Sequence, residues 1–375
     1  MNIGFDAKRA FCNFTGLGNY SRSTISIMSK FYPENRYILY TQPYKPHSEH
    51  RFADHENIQI VQPKKVYKYF SSTWRSFGMA YDAKRDNVQI FHGLSGESPA
   101  GLSKHNIRSV VTIHDLIFLH YPQFYKPIDR WIYTKKFKSA CINADLIIAI
   151  SKQTKQDIID FFGISEDKIR LVYQGCDPQF YAECSNEQKQ AVAAKYQLPP
   201  NYILYVGTIE ERKNLTTIVR TLASLPETYS LVAAGKPTAY IQQVNAEITR
   251  LGISDRVHFI HNVEFRDLPA IYQQAEVFVL LSVFEGFGIP VLEALNSKIP
   301  VITSNVSSLP EAGGAHSMYI NPLDSSELKQ TLLRLFSDSD LRNSMTANGY
   351  QHALNFREQK IVADLWNVYN ELILN

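Results

Sequence analysis

Ten short apolar runs, each suited to a strand buried on both faces, alternate with helix-patterned stretches along almost the whole chain. The first five are RYILYTQ, VQIFHG, SVVTIHD, ADLIIAIS and IRLVYQG; the second five are NYILYVGT, YSLVAAG, RVHFIHN, AEVFVLL and IPVITSN. Strands separated by helices need crossover connections, which means parallel sheets with helices on both faces. From GCDPQFYAECSNEQKQ to QLPPNY the rhythm breaks into polar residues and paired prolines, which reads as a linker near residues 175 to 200. A chain of 375 residues also exceeds what a single core usually spans. The expected fold is α/β, with two Rossmann-like doubly wound parallel-sheet domains, 1–177 and 178–355, and a final helix at 356–375 that returns to the first. Ligands of such sheets bind beyond the carboxyl ends of the strands, so the expected site is a central cleft that the two sheets face.

Composition removes several function classes. A formal net charge of +3 is too small to argue for a nucleic-acid partner. The start, MNIGFDAKRAF, lacks the apolar core of a secretory signal, and no apolar run reaches about 18 residues, so a cytoplasmic chain is expected. Cys12, Cys141, Cys176 and Cys184 form no Cys-x-x-Cys pair and are too few for a disulfide framework, so they read as reduced structural thiols.

The chemistry concentrates where strands end. After AEVFVLLS comes FEGFGIPVLEAL, a strand, a glycine loop and a helix opened by Pro290. Gly286 and Gly288 let backbone approach a ligand, and the first turn of the new helix favours an anion. Glu285 stands at the loop, and Glu293 about one turn into the helix, facing the same crevice or solvent. Phosphate-binding backbone flanked by carboxylates that accept hydroxyl hydrogen bonds suits a nucleotide sugar; the plain alternative is a glycine loop with two solvated glutamates. YILYVGTIEERKNL repeats the strand, turn and helix. Asn214 is placed to cap the helix, with Arg212 and Lys213 just ahead of it. Cations there oppose the helix dipole unless they serve an anion, which makes a diphosphate clamp, against the reading of a solvated basic loop.

Three weaker signals sit elsewhere. His114 and Asp115 close the apolar strand SVVTI, either to grip a sugar or as a buried histidine satisfied by nearby backbone. TGLGNYSRS places Gly16, Leu17 and Gly18 before a helical run; RAFCNFT separates them from any clear strand, so a flexible glycine loop closing over the cleft fits better than a dinucleotide turn. Asp338 and Asp340 have the Asp-x-Asp spacing of some metal sites, but they precede a helix, where aspartate serves as a cap. Two windows mix cations with aromatics, QPKKVYKYFSSTWRSF with Lys64, Lys65, Lys68 and Arg75, and FYKPIDRWIYTKKFKSA; each is a solvated helix face or a surface for anionic lipid.

Jointly, the chain resembles the retaining glycosyltransferases of family 4, which have the two-domain GT-B fold. FEGFGIPVLEAL is similar to the family's E-x7-E motif, VGTIEERKNL to its phosphate-binding turn and TIHDL to its first-domain histidine; AISKQTKQDI, VYQGCDPQFY and SNVSSLPEAGGAHSMYINPLD follow in the family's order. The resemblance implies that Arg212 and Lys213 neutralise a donor diphosphate and that Glu285 meets the hydroxyls of the transferred sugar. It places the N–H groups of Gly286, Phe287 and Gly288 on sugar and phosphate, Glu293 on the ribose, His114 near the reacting carbon, and Gly16 to Gly18 on the acceptor and phosphate side. Many members carry arginine after the strand's glycine, where this chain has Thr208 after Gly207. The VGTIE-x-RKN form resembles the mannosyltransferase-rich branch and implies GDP-mannose as donor. No cofactor or metal is implied. The implied acceptor is a glycan or lipid-linked oligosaccharide of surface polysaccharide assembly, with possible peripheral contact at the cytosolic face of the membrane. The rivals are a UDP-sugar donor, a dinucleotide oxidoreductase, a non-catalytic sugar-nucleotide binder and another GT-B enzyme such as an epimerase or phosphorylase.

Overall fold

The computed structural model describes residues 1–13, 15–44, 52, 55–63 and 71–374. The chain divides into two units, Met1–Gln174 with Glu358–Asn375, and Gly175–Arg357. In the first, seven parallel strands run β1 (Asn2–Asp6), β2 (Arg36–Tyr40), β3 (Ile58–Val61), β4 (Ile90–Gly93), β5 (Arg108–Ile113), β6 (Leu146–Ala149) and β7 (Ile169–Leu171), in the spatial order β3-β2-β1-β4-β5-β6-β7. The second holds β8 (Tyr202–Val206), β9 (Ser230–Ala234), β10 (Val257–Ile260), β11 (Val277–Leu280), β12 (Val301–Ser304) and β13 (Met318–Ile320), in the order β10-β9-β8-β11-β12-β13. The two sheets share one logic. In each, the winding direction reverses once, between β1 and β4 and between β8 and β11, and doubly wound sheets bind ligands at that reversal.

The burial explains the continuous apolar runs. Along β5, Val110 packs into one core with the helices Gly16–Phe31 and Glu358–Leu374, while Val111 and Ile113 pack into another with Pro127–Asn143 and Lys152–Phe162. Side chains alternate across a strand, so a strand covered on both faces has no polar register. The final helix buries Ile361, Val362, Leu365, Val368, Tyr369 and Leu372 in the first unit's core. Each aliphatic side chain so buried contributes about 1.5–3 kcal/mol relative to exposure, which is what returns this helix to the first sheet.

All ten apolar runs hold strands, and three further strands, β1, β3 and β13, add to them. The presumed linker is ordered instead: Asn186–Tyr196 is a helix of the second unit, opened by a capping box in which Ser185 and Gln188 satisfy each other's backbone N–H groups. Gly16 to Gly18 are not a loop but the first turn of the helix Gly16–Phe31. The Asn13 side chain accepts from the N–H groups of Thr15 and Gly18, and a Cβ on Gly18 would lie 1.9 Å from the Asn13 carbonyl oxygen, so that glycine serves close packing. Asp338 caps the helix Ser339–Ala353 by accepting from Leu341 N–H. Lys64, Lys65 and Lys68 lie outside the described residues. Among the described residues no helix is long and apolar enough to cross a membrane. All four cysteines are free.

Candidate active site

At the β8/β11 reversal, the turn Glu211–Lys213 after β8 and the loop after β11 come together. Backbone joins them first: Val283 N–H donates to Arg212 O at 2.8 Å. The Arg212 side chain then bridges both loops. Its Nη1 meets Glu285 Oε2 at 3.0 Å and also donates to the Phe284 carbonyl, and its Nη2 donates to Glu210 Oε1 at 2.6 Å. Lys213 Nζ stands 3.6 Å from Glu285 Oε1 and packs over Gly207. Glu285 therefore has a cation on each oxygen, and Ser282 Oγ donates to Oε1 at 2.7 Å. Burial pushes its carboxyl up, but the charges of Arg212 and then Lys213, with the Ser282 hydroxyl, outweigh burial and hold it down at about 2. The group is a carboxylate at neutral pH, able only to accept hydrogen bonds.

The glycine loop is held from behind by residues the sequence reading left without a role. Ser307 Oγ accepts from Glu285 N–H, and Ser308 Oγ donates to the carbonyls of Glu285 and Phe287. Gly286 and Gly288 are buried, and their N–H groups donate to no acceptor among the described residues. They stand just ahead of the helix Ile289–Asn296, at an end whose free N–H groups favour an anion. SNVSSLPEAGG carried the signal for both serines as a second loop beyond a strand end, but nothing local aimed them at Glu285.

One expectation needs correction, and one open alternative closes. Asn214 does not cap its helix with its side chain. Its backbone is left-handed, at φ 52°, which turns the amide away to the Pro322 carbonyl and to the Thr217 hydroxyl. Glu293 does not face solvent either: it is 9% exposed and accepts from the Tyr272 hydroxyl at 2.8 Å. Burial pushes its carboxyl up to about 7, against the opposing Tyr272 hydrogen bond and Lys213 charge. Thr208 follows Gly207 at the β8 end, where its carbonyl accepts from Tyr205 Oη.

In the first unit His114 stands just past β5, with Nε2 2.9 Å from Leu94 O and Nδ1 3.4 Å from the Gln174 amide. A carbonyl can only accept, so Nε2 carries the proton and Nδ1 presents its lone pair. Tyr20 packs edge-on against the ring at 4.5 Å. Burial, with a smaller push from the Arg9 charge, lowers the imidazole to about 4 despite the Leu94 hydrogen bond, so it is neutral near pH 7. Asp115 instead turns back to accept from Ile117 N–H.

Fold and site define a class: two doubly wound α/β units, one carrying paired cations and a carboxylate at its reversal point. Comparison with known proteins places the chain within that class. The family model for glycosyl transferases group 1 matches residues 186–352, and that for glycosyltransferase family 4 matches residues 35–180. O-antigen chain mannosyltransferase B of Escherichia coli is 32% identical over 294 residues, covering 76% of this chain and 74% of that protein. O-antigen chain mannosyltransferase RfbU of Salmonella typhimurium is 23% identical over 256 residues, 68% of each. Among solved structures, a glycosyltransferase from Rickettsia africae superposes with a TM-score of 0.77 at 17% identity, over 100% of this chain and 99% of that one. Anabaena HepE in complex with UDP superposes with a TM-score of 0.78 at 16% identity, over 99% and 100%. The chain belongs to glycosyltransferase family 4 and has its two-domain Rossmann-like fold.

Proposed function

We propose that this glycosyltransferase moves mannose from GDP-mannose to a glycan or lipid-linked oligosaccharide of surface polysaccharide assembly, with retention of anomeric configuration and without a metal. The observation that carries the reading is the Arg212–Glu285–Lys213 cluster at the β8/β11 reversal, beside the N–H groups of Gly286 and Gly288, which meet no acceptor among the described residues. The mannosyl assignment draws support from the two mannosyltransferase relatives.

The cost of such a transfer lies in separating charge between an oxocarbenium-like sugar and the departing diphosphate, so fixed positive groups at the leaving oxygens are the natural catalysts. Lys213 and the Gly286 and Gly288 N–H groups supply them, while Arg212 also ties the two loops into one piece. Glu285 takes hydrogen bonds from sugar hydroxyls, and Glu293 from the ribose. His114 offers its Nδ1 lone pair to a sugar hydroxyl that displaces the Gln174 amide. A phosphate oxygen of the leaving group takes the acceptor's proton, so no side chain is assigned as general base. Peripheral membrane contact has a surface to use: the helix Pro127–Asn143 exposes Ile128 (73%) and Trp131 (64%) among its cations.

Incubation of the enzyme with GDP-mannose and a mannose oligosaccharide in EDTA, followed by NMR of the product's anomeric carbon, tests this. Transfer with the donor's anomeric configuration is expected. Inversion, an absolute need for a divalent ion, or transfer from UDP-sugars alone would each overturn the corresponding part.

A further inference from the structure

The first sheet carries its own charged cluster at its own reversal point, and nothing so far uses it. Asp6 ends β1, only 2% exposed, and Arg75 reaches it with Nε at 2.7 Å and Nη2 at 2.7 Å. Arg75 Nη1 also holds Glu97, beyond β4, at 2.5 Å, and Lys136 Nζ approaches the same carboxylate at 3.5 Å. The cluster thus spans the carboxyl ends of β1 and β4. Lys8 and Arg9 follow β1 directly, both half-buried; the Lys8 N–H donates to Asp6 Oδ1 at 3.3 Å, but neither side chain makes an ion pair or hydrogen bond among the described residues. Arg9 Nε is sealed from water without an acceptor. Four cations, Lys8, Arg9, Arg75 and Lys136, thus stand against two carboxylates. Burial lowers the Lys8 ammonium, with Arg75 and then Arg9 adding to it, against a weaker opposing pull from Glu97 and Asp6. Partly desolvated charge without a hydrogen-bonded partner is costly unless an opposite charge compensates it. The Arg9 charge also reaches His114, the residue of this unit read as facing the donor sugar.

We propose that Lys8 and Arg9 form an anion site for a phosphate or diphosphate carried by the acceptor. The carrier's identity rests on the glycosyltransferase reading; the anion site itself does not. A neutral oligosaccharide brings no counter-charge to either group, whereas a saccharide with a diphosphate at its reducing end adds negative charge beside both. Arg75 is already committed to Asp6 and Glu97.

Two measurements test this. With the second-unit site saturated by GDP, inorganic pyrophosphate is titrated calorimetrically into wild type and into a Lys8→Gln/Arg9→Gln variant whose unchanged circular dichroism and melting profile report intact folding of both units. One further equivalent should bind wild type, at least tenfold more weakly in the variant. No binding to GDP-loaded wild type, or equal affinity in the variant, overturns the site. Transfer rates are then compared for a mannose oligosaccharide with and without a reducing-end diphosphate. Wild type should favour the charged acceptor in kcat/KM by at least tenfold, and the variant should lose the preference. Pyrophosphate binding without any acceptor preference would assign the site to free phosphate and overturn its link to the acceptor. Absence of transfer to either acceptor would count against the glycosyltransferase reading and leave the pyrophosphate result standing.

Discussion

The Lys213 ammonium rests on Gly207: a methyl group added to Gly207 would lie 2.6 Å from Lys213 Nζ. Gly207 also has φ +147°, a conformation that side-chain-bearing residues rarely adopt. Gly207→Ala therefore both strains the β8 turn, by about 1–3 kcal/mol, and pushes the ammonium off its seat. Nucleoside diphosphate affinity should fall by about tenfold or more, about 1.4 kcal/mol by calorimetry, with a lowered melting temperature. Unchanged affinity in a folded variant would mean that Lys213 is not the diphosphate ligand.

Glu285 links the site to acid stability. Its carboxyl sits at about 2 in the folded chain against an ordinary 4.5. The folded state resists protonation, so its contribution is fully present above pH 4.5 and is lost as pH falls through 2, amounting to about 3 kcal/mol at most. Glu285→Gln should flatten that part of the urea-unfolding profile and remove transfer activity. An acid limb identical to wild type would contradict the ion-pair geometry.

Glu293 has the opposite sign. With its carboxyl raised to about 7, the folded chain holds a proton between pH 4.5 and 7 that the unfolded chain has released, so this residue makes stability fall as pH rises through that window. The loss approaches about 3 kcal/mol above pH 7. Glu293→Gln keeps an oxygen for the Tyr272 hydroxyl and removes the titration. Unfolding free energy should then vary less between pH 5 and about pH 8 than in wild type; an unchanged slope would show that Glu293 is ionised throughout.

Asp338 separates a cap from a metal ligand. Asp338→Ala removes the hydrogen bond to Leu341 N–H and should cost about 1 kcal/mol of stability. Transfer should be the same as wild type with or without divalent ions. A selective loss of metal-dependent activity would restore the metal reading.

Much of this architecture is legible in the sequence because both sheets are covered on both faces, and a strand such as ILYV or VFVL then has no polar positions to disguise it. The three strands that escaped are short and mixed: β1 carries Asn2, Gly4 and Asp6, and β13 has three residues. The β1 omission mattered, since β1 is where Asp6, Lys8 and Arg9 enter the first sheet's reversal point. Arg212, Lys213 and Glu285 were legible as separate motifs, but their convergence was not, because it depends on β8 pairing with β11 across some 70 residues. The Ser185 capping box is spelled out in SNEQ, but the polar residues and paired prolines around it read as a linker. Asn214 misled because an asparagine before a helix has two uses, a side-chain cap or a left-handed turn, and only the backbone distinguishes them.

The most direct test of the account is calorimetric titration of the purified chain with GDP, UDP and ADP in EDTA, in wild type and in Lys213→Ala. Wild type should bind GDP preferentially and the variant should lose that binding, together with at least about 3 kcal/mol of transition-state stabilisation in transfer from GDP-mannose. Nucleotide affinity unchanged by Lys213→Ala, with turnover within about tenfold of wild type, would contradict it.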